Sequence, residues 1–227
     1  MLVSRGELVF GVASFLALRR ALRCDRGPDA LIDLGAHLGH SVRMALSATG
    51  SLPGAFLITG ISAAGKSTVA QALAEQLPRS AHLRGDVFRR MIVNNRADMR
   101  RDGEQAAWEQ LRLRHLVTAR ALDTYADAGF TVIAQDVVLG PMLRELVAEI
   151  RTRPLAVVVL DPSPEVVWAR EAARDKTGYA EWTPEELDRE LREETDKLGL
   201  WLDNSEQDVA ETVAQILRRC WDEAVIT

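Results

Sequence analysis

The chemistry in this chain is most legible in nine residues, Gly60-Ile61-Ser62-Ala63-Ala64-Gly65-Lys66-Ser67-Thr68. They fit the phosphate-binding pattern G-x-x-x-x-G-K-[ST] at every position. Such a loop aims successive backbone N–H groups at one anion, and a helix N-terminus adds its partial positive charge. Gly60, Ser62, Ala63, Ala64, Gly65, Lys66, Ser67 and Thr68 are therefore candidate nucleotide-binding residues. Lys66 has the reach to meet β- and γ-phosphates, and the Ser67 hydroxyl is a candidate Mg²⁺ ligand. ATP and Mg²⁺ are the cofactors this chemistry asks for.

The flanks suit the loop. Ala55 to Thr59 is a short apolar run that reads as a buried strand. After the loop, Val69, Leu73 and Leu77 recur at four-residue spacing, which predicts an amphipathic helix over 67–77. A chance glycine turn would lack both flanks.

The chain continues in alternation. Residues 81–84 read as a second strand, with Asp86 placed to cap a helix over 87–94. A polar stretch, 95–103, precedes a long helix over 104–128 that stops at Gly129. Further strands are expected at 130–134, 155–160 and 200–202, and helices at 141–150, 163–175 and 207–220. Thr183-Pro184-Glu185-Glu186 is a capping box that opens a charged helix to Leu198. Apolar strands separated by helices predict an α/β fold, a parallel sheet covered on both faces. Ligands in such sheets bind beyond the carboxyl ends of the strands.

The polar residues at those ends are the next candidates. Asp86 follows the second strand, where an acceptor hydroxyl would face the γ-phosphate. A carboxylate that orients the hydroxyl and takes its proton is the usual addition to phosphoryl-transfer machinery. Arg89, three residues on, shares its helical face and is a candidate to hold the acceptor or a phosphate. The blander alternative makes Asp86 a cap and Arg89 a solvated charge. Asp136 ends the third strand and is a candidate for the metal, directly or through water, or for the acceptor. Gln135 stands where a second acid would be expected. Arg170 and Arg174, four apart, sit with Lys176 before a hinged loop. On a closing lid such charge would neutralise the transferring phosphoryl group; the alternative is favourable charge at a helix C-terminus. Asp161 ends the fourth strand, and residues 203–206, after the fifth, are weak candidates for contact with adenine. His115 lies on an apolar helical stripe and reads as a core histidine.

Composition narrows the class. The chain has 227 residues, 47% hydrophobic and 27% charged, with net charge −5. Residues 1–50 hold six arginines against four acids, and the remainder 22 basic against 29 acidic residues. That balance disfavours a nucleic-acid polymer as partner. Cys24 and Cys220 are far apart, and the four histidines form no ligand cluster with them. A reduced, cytoplasmic protein is expected. The uncharged run from Leu8 to Leu18 is too short to span a bilayer. Residues 1–50 read as a helical extension of unassigned role, and 51–227 as the catalytic domain.

Over roughly residues 54–220 the chain resembles the P-loop kinases of small molecules, in particular the chloramphenicol phosphotransferase-like group. The stretch Gln135-Asp136-Val137-Val138-Leu139-Gly140 is similar to the D-D-V-F-L-G of that group, with Gln135 in place of the first acid. Asp86-x-x-Arg89 is similar to the D-x-x-R of the polynucleotide kinase 5′-hydroxyl site, where the acid is the general base. The resemblance implies a three-layer P-loop NTPase fold: five parallel strands in order 2-3-1-4-5, helices on both faces and a helical lid. The expected activity is transfer of the ATP γ-phosphate to a hydroxyl of a small molecule, an antibiotic or a metabolite. Asp86 is then the base, and Lys66, Arg170 and Arg174 the catalytic cations. Two alternatives stay open: a nucleic-acid 5′-hydroxyl kinase, and a nucleotide-binding regulatory ATPase without an acceptor.

Overall fold

The computed structural model describes residues 52–100, 103–173 and 182–226. Strands β1 (Ala55–Thr59) and β4 (Leu155–Leu160) are buried along their whole length. Their unbroken apolar sequence follows from a sheet covered on both faces. With β2 (Ser80–Arg84), β3 (Thr131–Gln135) and β5 (Leu200–Leu202) they form a sheet in the order β2-β3-β1-β4-β5. Every neighbouring pair on that path is parallel. A sixth strand, β6 (Val225–Ile226), pairs antiparallel with the start of β4 and extends the expected five. Two residues carry no periodicity, so nothing in the sequence announces it.

Between the strands run α1 (Lys66–Gln76), α2 (Gly85–Arg90), α3 (Gln105–Asp127), α4 (Met142–Glu149), α5 (Pro164–Ala172), α6 (Pro184–Arg189) and α7 (Val209–Arg219). The Thr183 capping box is formed, with both reciprocal bonds present. The charged helix it opens is shorter than expected and passes into a π-helical turn at Glu190–Glu194. Helix α2 also differs from expectation. It starts two residues earlier, ends at Arg90, and has Arg84 as its N-cap. Asp86 therefore sits inside the first turn and caps nothing with its side chain.

Helix α3 packs on β3 and α2. Its His115 is 5% exposed, a core residue as expected, and burial, aided by the Arg114 charge, lowers its pKa from 6.5 to about 4. The unfolded chain binds this proton below about pH 6.5, while the folded one resists it down to about pH 4. The resulting stability is complete above the higher value and is lost as pH falls between the two, by up to about 3 kcal/mol. Urea unfolding at pH 7 and pH 5 should show a loss in the parent that is reduced in His115→Leu. Equal losses in both would show that His115 is not the group responsible.

Candidate active site

The phosphate loop leaves β1 under tight steric control. At Gly60, φ is 138°, and an added Cβ would lie 2.4 Å from the Leu160 carbonyl oxygen, so only glycine fits. Lys66 is 8% exposed, and its Nζ donates to the Ile61 carbonyl at 2.7 Å. The ammonium is thus held across the mouth of its own loop.

One carbonyl of the loop is clamped from outside. Asn204 Nδ2 donates to the Ala64 oxygen at 3.1 Å, and Arg170 Nη1 approaches the same oxygen at 3.4 Å. Arg170 Nη2 donates in turn to the Asn204 carbonyl at 3.0 Å. A planar trans peptide sends its C=O and the next N–H in opposite directions. Holding the Ala64 carbonyl therefore sets the direction of the Gly65 N–H.

The other wall comes from the ends of β2 and β3. Asp136 is 5% exposed. Its Oδ1 accepts from the Val137 N–H at 2.8 Å, and its Oδ2 lies 2.8 Å from Arg114 Nε. That second contact is an ion pair without hydrogen-bond alignment, since neither atom has a hydrogen-bond partner among the described residues. Burial pushes the Asp136 carboxyl above the usual carboxylate range, against the pull of Arg114, the Val137 N–H and Lys66, and the nearby Asp86 charge adds to the rise. Room for this carboxylate depends on Gly85, where a Cβ would sit 2.0 Å from Oδ2. The stretch behind it is pinned too: Val138 exchanges both backbone bonds with the Thr59 hydroxyl, at 2.9 and 3.0 Å.

Asp86 stands at the mouth. Its Oδ2 is 3.0 Å from Arg90 and its Oδ1 3.9 Å from Arg84. That Oδ1 is buried and accepts no hydrogen bond among the described residues. Arg89 points elsewhere and pairs with Asp98.

One cavity of about 590 Å³ joins these walls. Of the residues expected from sequence, Ser62, Ala63, Gly65, Lys66, Ser67, Thr68, Asp86, Asp136 and Arg170 line it, whereas Arg89 does not. Gly60 and Ala64 are buried behind the loop. Arg174 lies outside the described residues. Asp161 and Asp203 face other partners: Asp161 pairs with Arg192 at 2.9 Å, and Asp203 accepts from the Ser205 N–H at 2.9 Å. The sequence reading missed Arg84, Gln207, Asp208, Val209 and Thr212, which also line the cavity, and Arg114, which holds Asp136 from behind. Arg114 had no signal, being one of several charges on a long helix.

The donors suit Mg²⁺ held jointly with bound phosphates. Among the described residues no group of three His, Cys, Asp or Glu side chains could hold a metal unaided. Mg²⁺ needs less, one or two protein oxygens besides phosphate and water. Ser67 and Asp136 line one cavity, and Asp136 Oδ2, ion-paired with Arg114, accepts no hydrogen bond among the described residues.

A parallel sheet in this order, with a glycine loop between its central strand and α1, defines the P-loop kinase fold. The chain belongs to the AAA domain family, whose model matches residues 56–196. No curated protein matches it. Among solved structures it is similar to a sugar kinase from Janibacter sp. HTCC2649, with TM-score 0.54, 20% identity, and coverage of 75% of this chain and 95% of the other. The tunicamycin resistance protein of Deinococcus radiodurans gives 0.53 and 19%, covering 76% and 98%. Thymidylate kinase from Candida albicans gives 0.54 and 12%, covering 76% and 96%. At these identities the likeness is one of fold. No helix among the described residues is long and apolar enough to cross a membrane.

Proposed function

We propose that the protein transfers the γ-phosphate of ATP to a hydroxyl of a small molecule. The observation that carries this reading is Asp86 Oδ1, a buried carboxylate oxygen without a hydrogen-bond partner among the described residues, on a side chain that shares one cavity with Lys66, Ser67 and Asp136. A hydroxyl accepted there would be oriented and would lose its proton to Asp86 as it attacks. Lys66 and the loop amides hold the triphosphate and take up charge on the transferred group. Arg170, which touches both the loop and the segment after β5, adds charge from the far side, and Arg174 is proposed as a second cation. Ser67 and Asp136 would hold Mg²⁺, which neutralises phosphate charge. Arg89 reaches the acceptor only by leaving Asp98. The test is ADP release with Mg·ATP across hydroxylated metabolites and antibiotics. Acceptor-stimulated release supports a kinase, and release indifferent to every acceptor and to Asp86→Asn supports the regulatory ATPase.

The Ala64 clamp adds a second expectation. Asn204→Ala should weaken ADP binding about fivefold, in line with one lost hydrogen bond of about 1 kcal/mol, and leave adenosine binding nearly unchanged. Calorimetry reads both. Equal losses for ADP and adenosine would place Asn204 at the base rather than behind the loop.

A further inference from the structure

On the kinase reading above, we infer that the side-chain amide of Gln135 donates to the γ-phosphate where it meets the acceptor. Through that contact the cavity tells a triphosphate from a diphosphate without help from the metal. Gln135 ends β3, is 4% exposed and lines the cavity with Lys66, Ser67 and Asp86. Its amide makes no hydrogen bond among the described residues, yet it is not sealed off from the cavity. A polar group left in that state costs free energy unless a ligand pairs with it. A leucine or isoleucine here would extend the apolar run Val132-Ile133-Ala134 without that cost.

Register decides which way the amide leaves the sheet. Gln135 pairs with Ile58 of β1 and with Arg84 of β2. Side chains alternate along a strand, so Arg84 shares its face with His82 and Ser80. Those two bond Gln71 and the Ala74 carbonyl of α1, at 2.8 and 2.7 Å. Gln135 therefore lies on the α1 face, the helix that Lys66 and Ser67 open. Asp136, one residue on, meets Arg114 of α3 instead. Sheet order places the phosphate. The loop leaves β1, Asp86 follows β2, and β3 lies between them. From loop to Asp86 is two strand spacings, about 10 Å, and a γ-phosphate facing a hydroxyl at Asp86 sits in the middle, over the end of β3. Phosphate oxygens only accept hydrogen bonds. A carboxylate at this position would also only accept, and the two would need a metal or a proton between them. An amide donates directly and adds no negative charge.

The test is calorimetry on the full chain with ADP and with a non-hydrolysable ATP analogue, each in EDTA and in Mg²⁺. Gln135→Met keeps the length of the side chain and removes the donor. It should weaken the analogue about ten- to a hundredfold, as for a hydrogen bond to a charged group, and leave ADP within about twofold, with or without metal. Gln135→Glu, close to the parent in shape, should lose at least as much in EDTA and recover most of it in Mg²⁺, which can bridge two acceptors. Unchanged ADP binding shows that the loop is intact in either variant. ADP and the analogue weakened alike, or both unchanged, would make Gln135 a packing residue and leave the kinase reading standing. A loss in Gln135→Met seen only with Mg²⁺ would move the amide to the water shell of the metal and overturn the direct contact. Failure of the parent to bind either nucleotide removes the kinase reading itself.

Discussion

Lys66→Ala is expected to lower acceptor-dependent ADP release by about 10³-fold or more. The size follows from where the ammonium sits. It is 8% exposed and bonded to the Ile61 carbonyl at 2.7 Å, so its position is set before any nucleotide arrives. A cation prepositioned in a site shielded from water needs little reorganisation as charge develops on the transferred group, and single groups of this kind are worth about 10²–10⁵ in rate. The substitution also removes a positive charge that stabilises ionised Asp136. Ground-state nucleotide affinity should fall less than turnover, because the loop amides remain. Lys66→Arg is a useful companion, since a planar guanidinium cannot reproduce a compact ammonium on that carbonyl. Turnover near the parent level in Lys66→Ala, with an unchanged melting temperature, would show that the chemistry lies elsewhere.

The sequence is most legible where local rules and tertiary structure agree. β1 and β4 are buried on both faces, so their apolar runs need no periodicity to be recognised, and their observed bounds match the expected ones. The loop at Gly60–Thr68 is a contiguous motif whose glycines answer to backbone geometry, φ 138° at Gly60 and 95° at Gly65. Legibility falls where a residue's partner is distant in the chain. The pair Arg114–Asp136 joins α3 to the end of β3, and Asn204 reaches Ala64 across 140 residues. Nothing local distinguishes Arg114 from an ordinary charged residue, and Asn204 was readable only as one of four weak candidates after the fifth strand, not as the partner of Ala64. Asp86 is an intermediate case: its place after β2 was readable, whereas its role in α2 was not. A carboxylate just after a strand predicts a cap, but the helix begins at Gly85, whose missing Cβ leaves room for Asp136. The absent Cβ at Gly85 is thus what lets the two acids face one cavity.

Asp86→Asn is expected to reduce acceptor-dependent turnover by about 10²- to 10⁴-fold, the usual contribution of a general base, with ATP affinity within about twofold of the parent. The substitution keeps the side chain's shape, and its single oxygen can accept either from Arg90, which lies 3.0 Å from Oδ2 in the parent, or from the acceptor hydroxyl. What is lost is a negatively charged oxygen able to take a proton. In the parent, Oδ1 is buried without a hydrogen-bond partner among the described residues. A buried acceptor of this kind costs free energy unless a ligand supplies the donor, and a substrate hydroxyl is such a donor. The amide should therefore leave KM for the acceptor changed far less than kcat, because a hydroxyl can still donate to an amide oxygen. Asp136→Asn provides the contrast. If Asp136 serves Mg²⁺, that variant should show a raised Mg²⁺ requirement, which Asp86→Asn should not. A shifted Mg²⁺ requirement in Asp86→Asn with kcat restored at saturating metal would exchange the two roles, making Asp86 the metal-side carboxylate. Unchanged turnover in Asp86→Asn would mean that the hydroxyl needs no base here, as a largely dissociative transition state permits. The unpaired oxygen would then serve to orient the acceptor, and the loss would appear in KM.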